Sequence, residues 1–126
     1  MAITIATKAD RQVIDITEAV EKALKPEVRA VVVTVLHTTA ALTTADLDPG
    51  TDLDFLDFLT AITPTVRWRH PHDPQHAPDH LLASLIGPSV TLPVRAGRLV
   101  LGTWQRVILV ELDGPRQRQI EITDLS

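Results

Sequence analysis

The sequence predicts an α+β fold, built as a single compact domain over residues 1–126 with a mixed β-sheet and two to three helices. The predicted elements come in the order two strands, helix, two strands, two helices and three or four strands, so strand runs and helix runs are partly segregated. The runs AVVVTVL and VILV are apolar on both faces, which is typical of strands covered on two sides. A length of 126 residues suits one domain.

The N-terminal part contains two short segments rich in β-branched residues. Residues 2–7 and 12–16 are predicted to pair as a hairpin across a polar turn. Asp15 or Thr17 can then cap a helix, which is predicted to end at about Leu24.

The central part of the chain holds two further strands and the first long helix. Residues 30–36 and 40–44 are the predicted strands. Asp48 followed by Pro49 is a typical helix start, and this helix is predicted to end at about Ile62. Four of its apolar side chains are predicted to face the core: Leu53, Phe55, Leu56 and Leu59.

A histidine-rich segment comes next. Residues 70–78 hold three prolines and three histidines, which predicts an irregular loop. Residues 79–86 are predicted to form a helix that ends at Gly87, with His80 in its first turn. The remaining sequence is predicted to form strands at 90–94, 98–102, 105–113 and 117–123.

The composition excludes several classes of function. A formal net charge of -4 and a pI near 5.6 argue against nucleic-acid or anionic-membrane partners, because both require a basic surface. The chain has no cysteine, so a bound metal would need nitrogen and oxygen ligands. The first residues do not resemble a signal peptide and no apolar run approaches the roughly 18 residues of a membrane span, so we expect a soluble cytoplasmic protein.

Histidines are the first candidates for chemistry. Imidazoles that converge on one point serve in metal binding, in general acid–base catalysis, or in both. No HExxH-type zinc motif is present, and a solvated histidine-rich loop without a function is the alternative interpretation. His72 and His76 are the expected bystanders, because no regular element holds them. The five histidines are His37, His70, His72, His76 and His80.

Two further groups are candidates for ligand binding. Thr38 and Thr39 follow a strand, where their hydroxyl groups can donate to a phosphate or a carboxylate, although threonine is also an ordinary strand residue. Trp104 and Gln105 follow a Gly-Thr turn. The indole can stack on a flat ligand or, alternatively, pack in the core or at a subunit contact.

A third group combines acidic and basic side chains at the end of a strand. Glu111 follows the apolar run 107–110, and a buried acid at this position needs a partner. It can act as a general base, bind a metal or pair with an arginine, and the residues leave these three roles open. Arg116 and Arg118 follow the next turn and can face an anion or solvent.

Three motifs lie in register along the chain: HTTAALTT, DP and HLLASLIGPSVTLPVRAGRLVLGTWQRVILVELDGPRQRQI. Together they resemble the YjbQ-like family, also called the secondary thiamine-phosphate synthase family. The resemblance covers nearly the whole chain and is strongest between Asp79 and Arg118. It implies an α+β fold that assembles as a homotrimer, with a site near the subunit contacts. It also implies a divalent metal, with zinc as the metal that suits a set of histidines.

With the resemblance, the candidate site residues form three groups. The predicted metal ligands, which match the family's site histidines, are His37, His70 and His80. The predicted catalytic residues are His37 and the strand-end acid Glu111. The predicted contacts of a small phosphorylated metabolite are Thr38, Thr39, Trp104, Gln105, Arg116 and Arg118.

The activity that the resemblance implies is a weak thiamine-phosphate synthase, which joins a pyrimidine diphosphate to a thiazole phosphate. The alternatives are a non-catalytic binding module for a phosphorylated metabolite or metal, and a metal-dependent hydrolase. One departure from the family bears on this choice, because its usual glutamate just before the DP motif is Ala45 here. Asp46 is the neighbouring acid that can substitute for it.

Overall fold

The computed structural model describes residues 1–71 and 73–126. The described residues form eight β-strands: Ala2–Ala6 (β1), Gln12–Asp15 (β2), Ala30–Val35 (β3), Ala40–Asp46 (β4), Ser89–Arg95 (β5), Arg98–Leu99 (β6), Gln105–Glu111 (β7) and Gln117–Leu125 (β8). They also form three α-helices and one 3-10 helix: Thr17–Glu21 (α1), Thr51–Ile62 (α2), Ala77–Ile86 (α3) and the 3-10 turn Pro74–His76.

The strands are arranged in two sheets. The larger sheet has the order β1-β8-β3-β5-β6, and the smaller has the order β2-β7-β4. Each strand pair among the described residues is antiparallel. The predicted α+β class with up to three helices is confirmed. The strands, however, are divided between two sheets and do not form one.

Strand β7 lies in the middle of the smaller sheet and is buried on both faces. Val107 and Leu109 belong to an apolar cluster shared with the larger sheet. Ile108 and Val110 belong to a second cluster shared with α2 and α3. Because alternate side chains of a strand point to opposite faces, β7 separates the two clusters. The layers are therefore the larger sheet, the smaller sheet and the helices α2 and α3, whereas Val20 of α1 packs in the cluster between the two sheets. The predicted burial of the run 107–110 on both faces is confirmed.

The predicted N-terminal hairpin is wrong. Strand β1 pairs with β8 of the larger sheet, whereas β2 pairs with β7 of the smaller one. The segment between them therefore crosses from one sheet to the other. This crossing places Thr7 at the end of β7, where its hydroxyl donates to Glu111 Oε1 at 2.7 Å.

Helix boundaries also differ from the prediction. Helix α2 does not begin at the Asp48-Pro49 pair, because Gly50 adopts a left-handed conformation (φ 92°) and Thr51 N–H closes a turn onto the Asp48 carbonyl. Leu53, predicted to face the core, is 62% exposed. Helix α1 ends three residues earlier than predicted, and α3 begins two residues earlier. Among the described residues, no helix is both long enough and apolar enough to cross a bilayer.

Candidate functional site

An open cavity of about 650 Å³ lies between the residues that follow β3, the first turn of α3 and the start of β8. Six of the predicted site residues line it: His37, Thr38, Thr39, His80, Arg116 and Arg118. A second cavity of about 490 Å³ adjoins it and shares three of these residues, His37, Thr38 and His80. The structure therefore brings most of the predicted site to one place.

Arg118 and Glu111 form a buried ion pair behind this cavity. Arg118 is 1% exposed and Glu111 is 0% exposed. Arg118 Nε donates to Glu111 Oε1 at 2.9 Å, and Nη2 donates to Glu111 Oε2. Nη2 also donates to the carbonyl and the hydroxyl of Thr39, at 3.0 and 2.9 Å. Bonds to two sides fix the plane of the guanidinium group.

One nitrogen of Arg118 remains available to a ligand. The hydrogen bonds between Arg118 and the described residues come from Nε and Nη2, and none comes from Nη1. Among the described residues, each fully buried side-chain nitrogen or oxygen has a hydrogen-bond partner. Because Nη1 has no such partner there, it must be in contact with solvent. Because Arg118 lines the cavity, Nη1 is the nitrogen that can donate to a ligand there.

Glu111 has its acceptor positions occupied. Thr7 Oγ1 and the N–H of Asp113 donate to its two oxygens, in addition to Arg118. Burial raises the pKa of Glu111, but the hydrogen bonds from Arg118, Thr7 and Asp113 outweigh it and hold the pKa below its ordinary value. Of the three roles that the sequence left open, the structure shows the ion pair with an arginine.

His37 is half-buried and is held by the backbone of β8. Its Nε2 accepts a hydrogen bond from the N–H of Gln119 at 2.8 Å. Burial lowers the pKa of His37, and the positive charges of Arg118 and Arg116 lower it further against the attraction of Glu111. The lowered pKa favours the neutral form of the imidazole.

His70 and His80 are stacked face to face. Their ring centroids lie 4.7 Å apart and their planes differ by 23°. His80 lies in the first turn of α3, as predicted. The lone pairs of ring nitrogens lie in the ring plane, so two stacked rings do not direct them at one point between the rings.

The predicted metal ligands do not converge in the described structure. Within residues 1–71 and 73–126, three other potential ligands have donor atoms that all lie within 4.8 Å of one another: His76, Asp79 and Asp113. His37, His70 and His80 do not form such a set, and Nε2 of His37 is already bonded to Gln119. As placed, the three histidines therefore do not fit a shared metal ion.

His76 lies in the 3-10 turn and takes part in a network of charges, so the expectation that no regular element holds it is wrong. That it is a bystander in function stays a prediction. Its Nδ1 lies 3.0 Å from Asp79 Oδ2 and 3.5 Å from Asp113 Oδ1, and its Nε2 lies 3.3 Å from Asp73 Oδ2. The hydrogen bond to Asp79 and the negative charge of Asp113 raise the pKa of His76. His72, the other expected bystander, lies outside the described residues.

Two arginines complete this network. Arg11 Nη2 lies 2.9 Å from Asp79 Oδ1, and Arg116 Nη2 lies 3.0 Å from Asp113 Oδ2. Histidine and aspartate are the ligand types that a divalent metal uses, so His76 with Asp79 and Asp113 is a possible metal-binding group. Without a metal, the two arginines, joined by His76 when it is protonated, balance the negative charge of the same carboxylates.

Trp104 and Gln105 lie outside this cavity. They line a separate depression of about 340 Å³ together with residues 44–46, which include Ala45. Gln105 Nε2 donates to Thr44 Oγ1 at 3.0 Å. Trp104 is 70% exposed, so the alternative of core packing is wrong. Within one chain, the structure does not bring these two residues to the histidines.

Sequence reasoning missed two groups that hold the site. Thr7 bonds to Glu111 across 104 positions of sequence, and the backbone of Gln119 bonds to His37 across 82. A threonine in a strand is ordinary and a backbone N–H belongs to every residue except proline, so neither gave a signal in the sequence.

Comparison with known proteins identifies the family. The family model described as "UPF0047 protein YjbQ-like" matches residues 1–125. The chain belongs to the YjbQ-like UPF0047 family. A family member from Archaeoglobus fulgidus is 37% identical over 126 residues, which cover 99% of this chain and 100% of that protein. The family protein YugU from Bacillus subtilis is 36% identical over 119 residues, covering 89% and 87%.

Solved structures of YjbQ-like relatives confirm the fold. A conserved hypothetical protein from Thermus thermophilus superposes with a TM-score of 0.90 at 34% identity, covering 99% of each chain. A hypothetical protein from Aeropyrum pernix gives 0.91 at 38% identity, covering 100% of this chain and 97% of the other. A relative from Sulfolobus solfataricus, described as a YbjQ-like protein of unknown function, gives 0.87 at 34%, covering 100% and 95%.

Proposed function

We propose that this protein binds a phosphorylated small molecule in the 650 Å³ cavity and acts on it as a transferase of the thiamine-phosphate synthase type. The observation that carries the proposal is the placement of Arg118. Its guanidinium group is fixed by Glu111 and Thr39 while Nη1 remains available at the cavity. A donor that is already oriented binds a phosphate oxygen without a cost of rearrangement.

Arg116 and Thr38 add donors beside Arg118. Arg116 Nε donates to the carbonyl of Asp113 at 2.7 Å and Nη2 donates to its carboxylate at 3.0 Å, which leaves Nη1 for a ligand. Thr38 is exposed and lines the same cavity. Two arginines and a hydroxyl group suit the several oxygens of a diphosphate.

In the proposed reaction, a nitrogen of the thiazole substrate forms a bond to the pyrimidine substrate. The bond from that pyrimidine to the diphosphate breaks, and the diphosphate leaves with the electron pair. Arg116 and Arg118 stabilise the negative charge that grows on the leaving group. No step of this proposal passes through a metal held by His37, His70 and His80, because these three histidines do not converge in the described structure.

A non-catalytic binding module is the second candidate, and the state of the two predicted catalytic residues favours it. Glu111 is buried and bonded to Arg118, Thr7 and the backbone of Asp113. His37 has its Nε2 bonded to the backbone of Gln119. A general base needs a free lone pair within reach of its proton donor, and neither residue offers one at these atoms.

Replacing Arg116 with glutamine is expected to weaken the binding of inorganic diphosphate about fivefold to tenfold, since it removes one charge-assisted hydrogen bond in a partly solvated position. Isothermal titration calorimetry measures this effect. Arg98→Gln is the matched control, because it removes the same charge from an exposed side chain that pairs weakly with Glu21 and does not line the cavity. Equal weakening in both variants, or no diphosphate binding by the unaltered protein, would contradict the proposed site.

Product formation separates the two candidate functions. The unaltered protein, supplied with the pyrimidine diphosphate and the thiazole phosphate, is expected to form thiamine phosphate, and Arg116→Gln is expected to form it more slowly than Arg98→Gln. Chromatography of the reaction mixture detects the product. Diphosphate binding without product over a long incubation would support the binding module and contradict the transferase.

We also propose a homotrimer, as the family resemblance implies. Several large apolar side chains are exposed in the single chain, which is typical of an interface: Leu53, Phe58, Leu81, Leu85 and Trp104. The proposed contacts of Trp104 and Gln105 with substrate depend on this assembly, because one chain places them in a separate depression. Light scattering is expected to give a mass of three times 13.8 kDa, and a mass near 13.8 kDa would contradict the trimer.

A further inference from the structure

We infer that the backbone N–H of Gln119 locks His37 in the neutral tautomer that carries its proton on Nδ1, so that His37 serves the cavity as a hydrogen-bond donor and does not bind a metal. The acceptor of that hydrogen bond, an oxygen of a phosphate or diphosphate, rests on the proposed function. The tautomer rests on the geometry alone.

The hydrogen bond from Gln119 determines which ring nitrogen holds the proton. The N–H of Gln119 lies 2.8 Å from His37 Nε2, and a backbone N–H can only donate. Nε2 must therefore present its lone pair. A neutral imidazole has one protonated nitrogen and one acceptor, so the proton is on Nδ1.

The donor is held in place by strands on two sides. Gln119 lies in β8, where it is opposite Thr4 of β1. On its other side, its carbonyl accepts from the N–H of Leu36 at 3.1 Å, just beyond the last β3–β8 pair, Val35 with Ile120. The imidazole of His37 therefore takes the place that a carbonyl of β3 would occupy if the strand continued. Because the donor is the backbone N–H, its position does not depend on the side-chain conformation of Gln119.

Metal binding through His37 would break this bond. A metal on Nε2 would displace the N–H of Gln119 from the lone pair that it uses. A metal on Nδ1 would require the ring proton to move to Nε2, where it would face the same N–H. The neutral ring has one lone pair, and the backbone already occupies it.

The surroundings of His37 suit a donor. Arg116 and Arg118 line the same cavity, and Nη1 of Arg118 is available there. A neutral N–H beside two guanidinium groups adds a further donor for a ligand oxygen without adding another positive charge to the cluster. The ligand class that matches this set is an oxyanion with several oxygens.

The tautomer is measurable by NMR on protein labelled with ¹⁵N in its histidine rings, with His37→Gln used to assign the His37 signals. Two-bond proton–nitrogen correlations distinguish the two neutral forms. We expect a protonated Nδ1 and an unprotonated Nε2 for His37 at neutral pH. We also expect both signals to stay unchanged when an equimolar amount of Zn²⁺ is added.

Two variants at Gln119 test the cause. Gln119→Ala keeps the backbone N–H and is expected to keep the Nδ1–H form. Gln119→Pro removes that N–H and is expected to convert His37 to the Nε2–H form. Circular dichroism would show whether the proline variant folds. If it does not, the tautomer of His37 and its response to Zn²⁺ in the unaltered protein still test the inference.

Two results would overturn the inference: an Nε2–H tautomer in the unaltered protein, or His37 nitrogen signals that move to metal-bound positions with Zn²⁺. Inorganic diphosphate is the second ligand to add, and it is expected to shift the Nδ1–H signal. The Nδ1–H tautomer without any response to diphosphate would support the lock by Gln119 and contradict the proposed ligand, so the two ideas fail separately.

Discussion

Replacing Glu111 with alanine is expected to lower the free energy of unfolding by about 3–5 kcal/mol, the cost of removing one partner of a buried ion pair. The variant would leave Arg118 buried with its charge uncompensated, since Thr39 supplies only neutral acceptors. Thr7 would also lose the closer of the two acceptors of its hydroxyl group and keep only the carbonyl of Arg116, at 3.1 Å. Urea denaturation at neutral pH measures the loss.

A double substitution distinguishes the cost of an unpaired buried charge from the cost of losing the packing of these side chains. Glu111→Leu with Arg118→Met replaces both charges with apolar groups of similar length, and such replacements are often neutral or stabilising. We expect this variant to recover most of the stability that Glu111→Ala loses while its diphosphate binding is abolished. A Glu111→Ala variant that loses less than about 1 kcal/mol, the range of an exposed ion pair, would show that Arg118 finds another partner or reaches water.

The ion pair also sets the direction of a pH effect. The pKa of Glu111 is lower in the folded protein than in the unfolded chain, because the hydrogen bonds from Arg118 and Thr7 outweigh burial. The stability that it contributes is therefore present above the ordinary pKa of a glutamate and is lost as the pH falls through the lowered value. Comparing acid unfolding of the unaltered protein with that of Glu111→Ala would isolate this contribution.

Local patterns predicted the strands well but not their partners. The run 107–110 is apolar at each position, and the structure buries it on both faces. The segments 2–7 and 12–16 had the composition of strands, and a short polar link made a hairpin the simplest pairing. Their true partners lie more than 90 positions away, and no local pattern reports pairing at that distance.

The separation of Trp104 from the histidines has a simple geometric cause. Gln105 begins β7 and Glu111 ends it. A strand rises about 3.3 Å per residue, so these two ends lie roughly 20 Å apart. Both positions belong to one predicted strand. The length of that strand alone therefore indicates that Gln105 and Glu111 cannot belong to one site within a single chain. Only contact with another chain could bring Trp104 to the cavity.

The sequence predicted the residues of the main cavity but not the role of His76. Four residues in motifs that resemble the family do meet at one cavity: His37, His80, Arg116 and Arg118. The engagement of His76 depends on carboxylates whose positions are set by two different elements, α3 and the turn after β7. A proline-rich loop gave no reason to expect that arrangement.

Gly114→Ala is the second substitution with a large expected effect. A Cβ at this position would lie 2.2 Å from the carbonyl oxygen of Ala9 and 2.9 Å from both Thr7 Oγ1 and Glu111 Cγ. Backbone atoms cannot move aside as a flexible side chain can. Overpacking of this kind costs about 1–3 kcal/mol and occasionally more, and we expect a loss of at least about 3 kcal/mol.

Gly102→Ala is the matched control for that substitution. Its Cβ would meet only the side chain of Gln105, at 3.7 and 3.9 Å, which is ordinary contact. The change in its free energy of unfolding is expected to stay within about 0.5 kcal/mol in the same urea experiment. Equal effects in the two alanine variants would contradict the close approach at Gly114.

The clash at Gly114 should also reach the binding site, because the turn that contains it is tied to the crossing between the sheets. The N–H of Gly114 donates to the carbonyl of Asp10 at 2.8 Å, and the N–H of Thr7 donates to the carbonyl of Arg116 at 2.9 Å. Separating these segments would move Thr7 away from Glu111 and loosen the support of Arg118. We therefore expect weaker diphosphate binding in whatever fraction of Gly114→Ala remains folded.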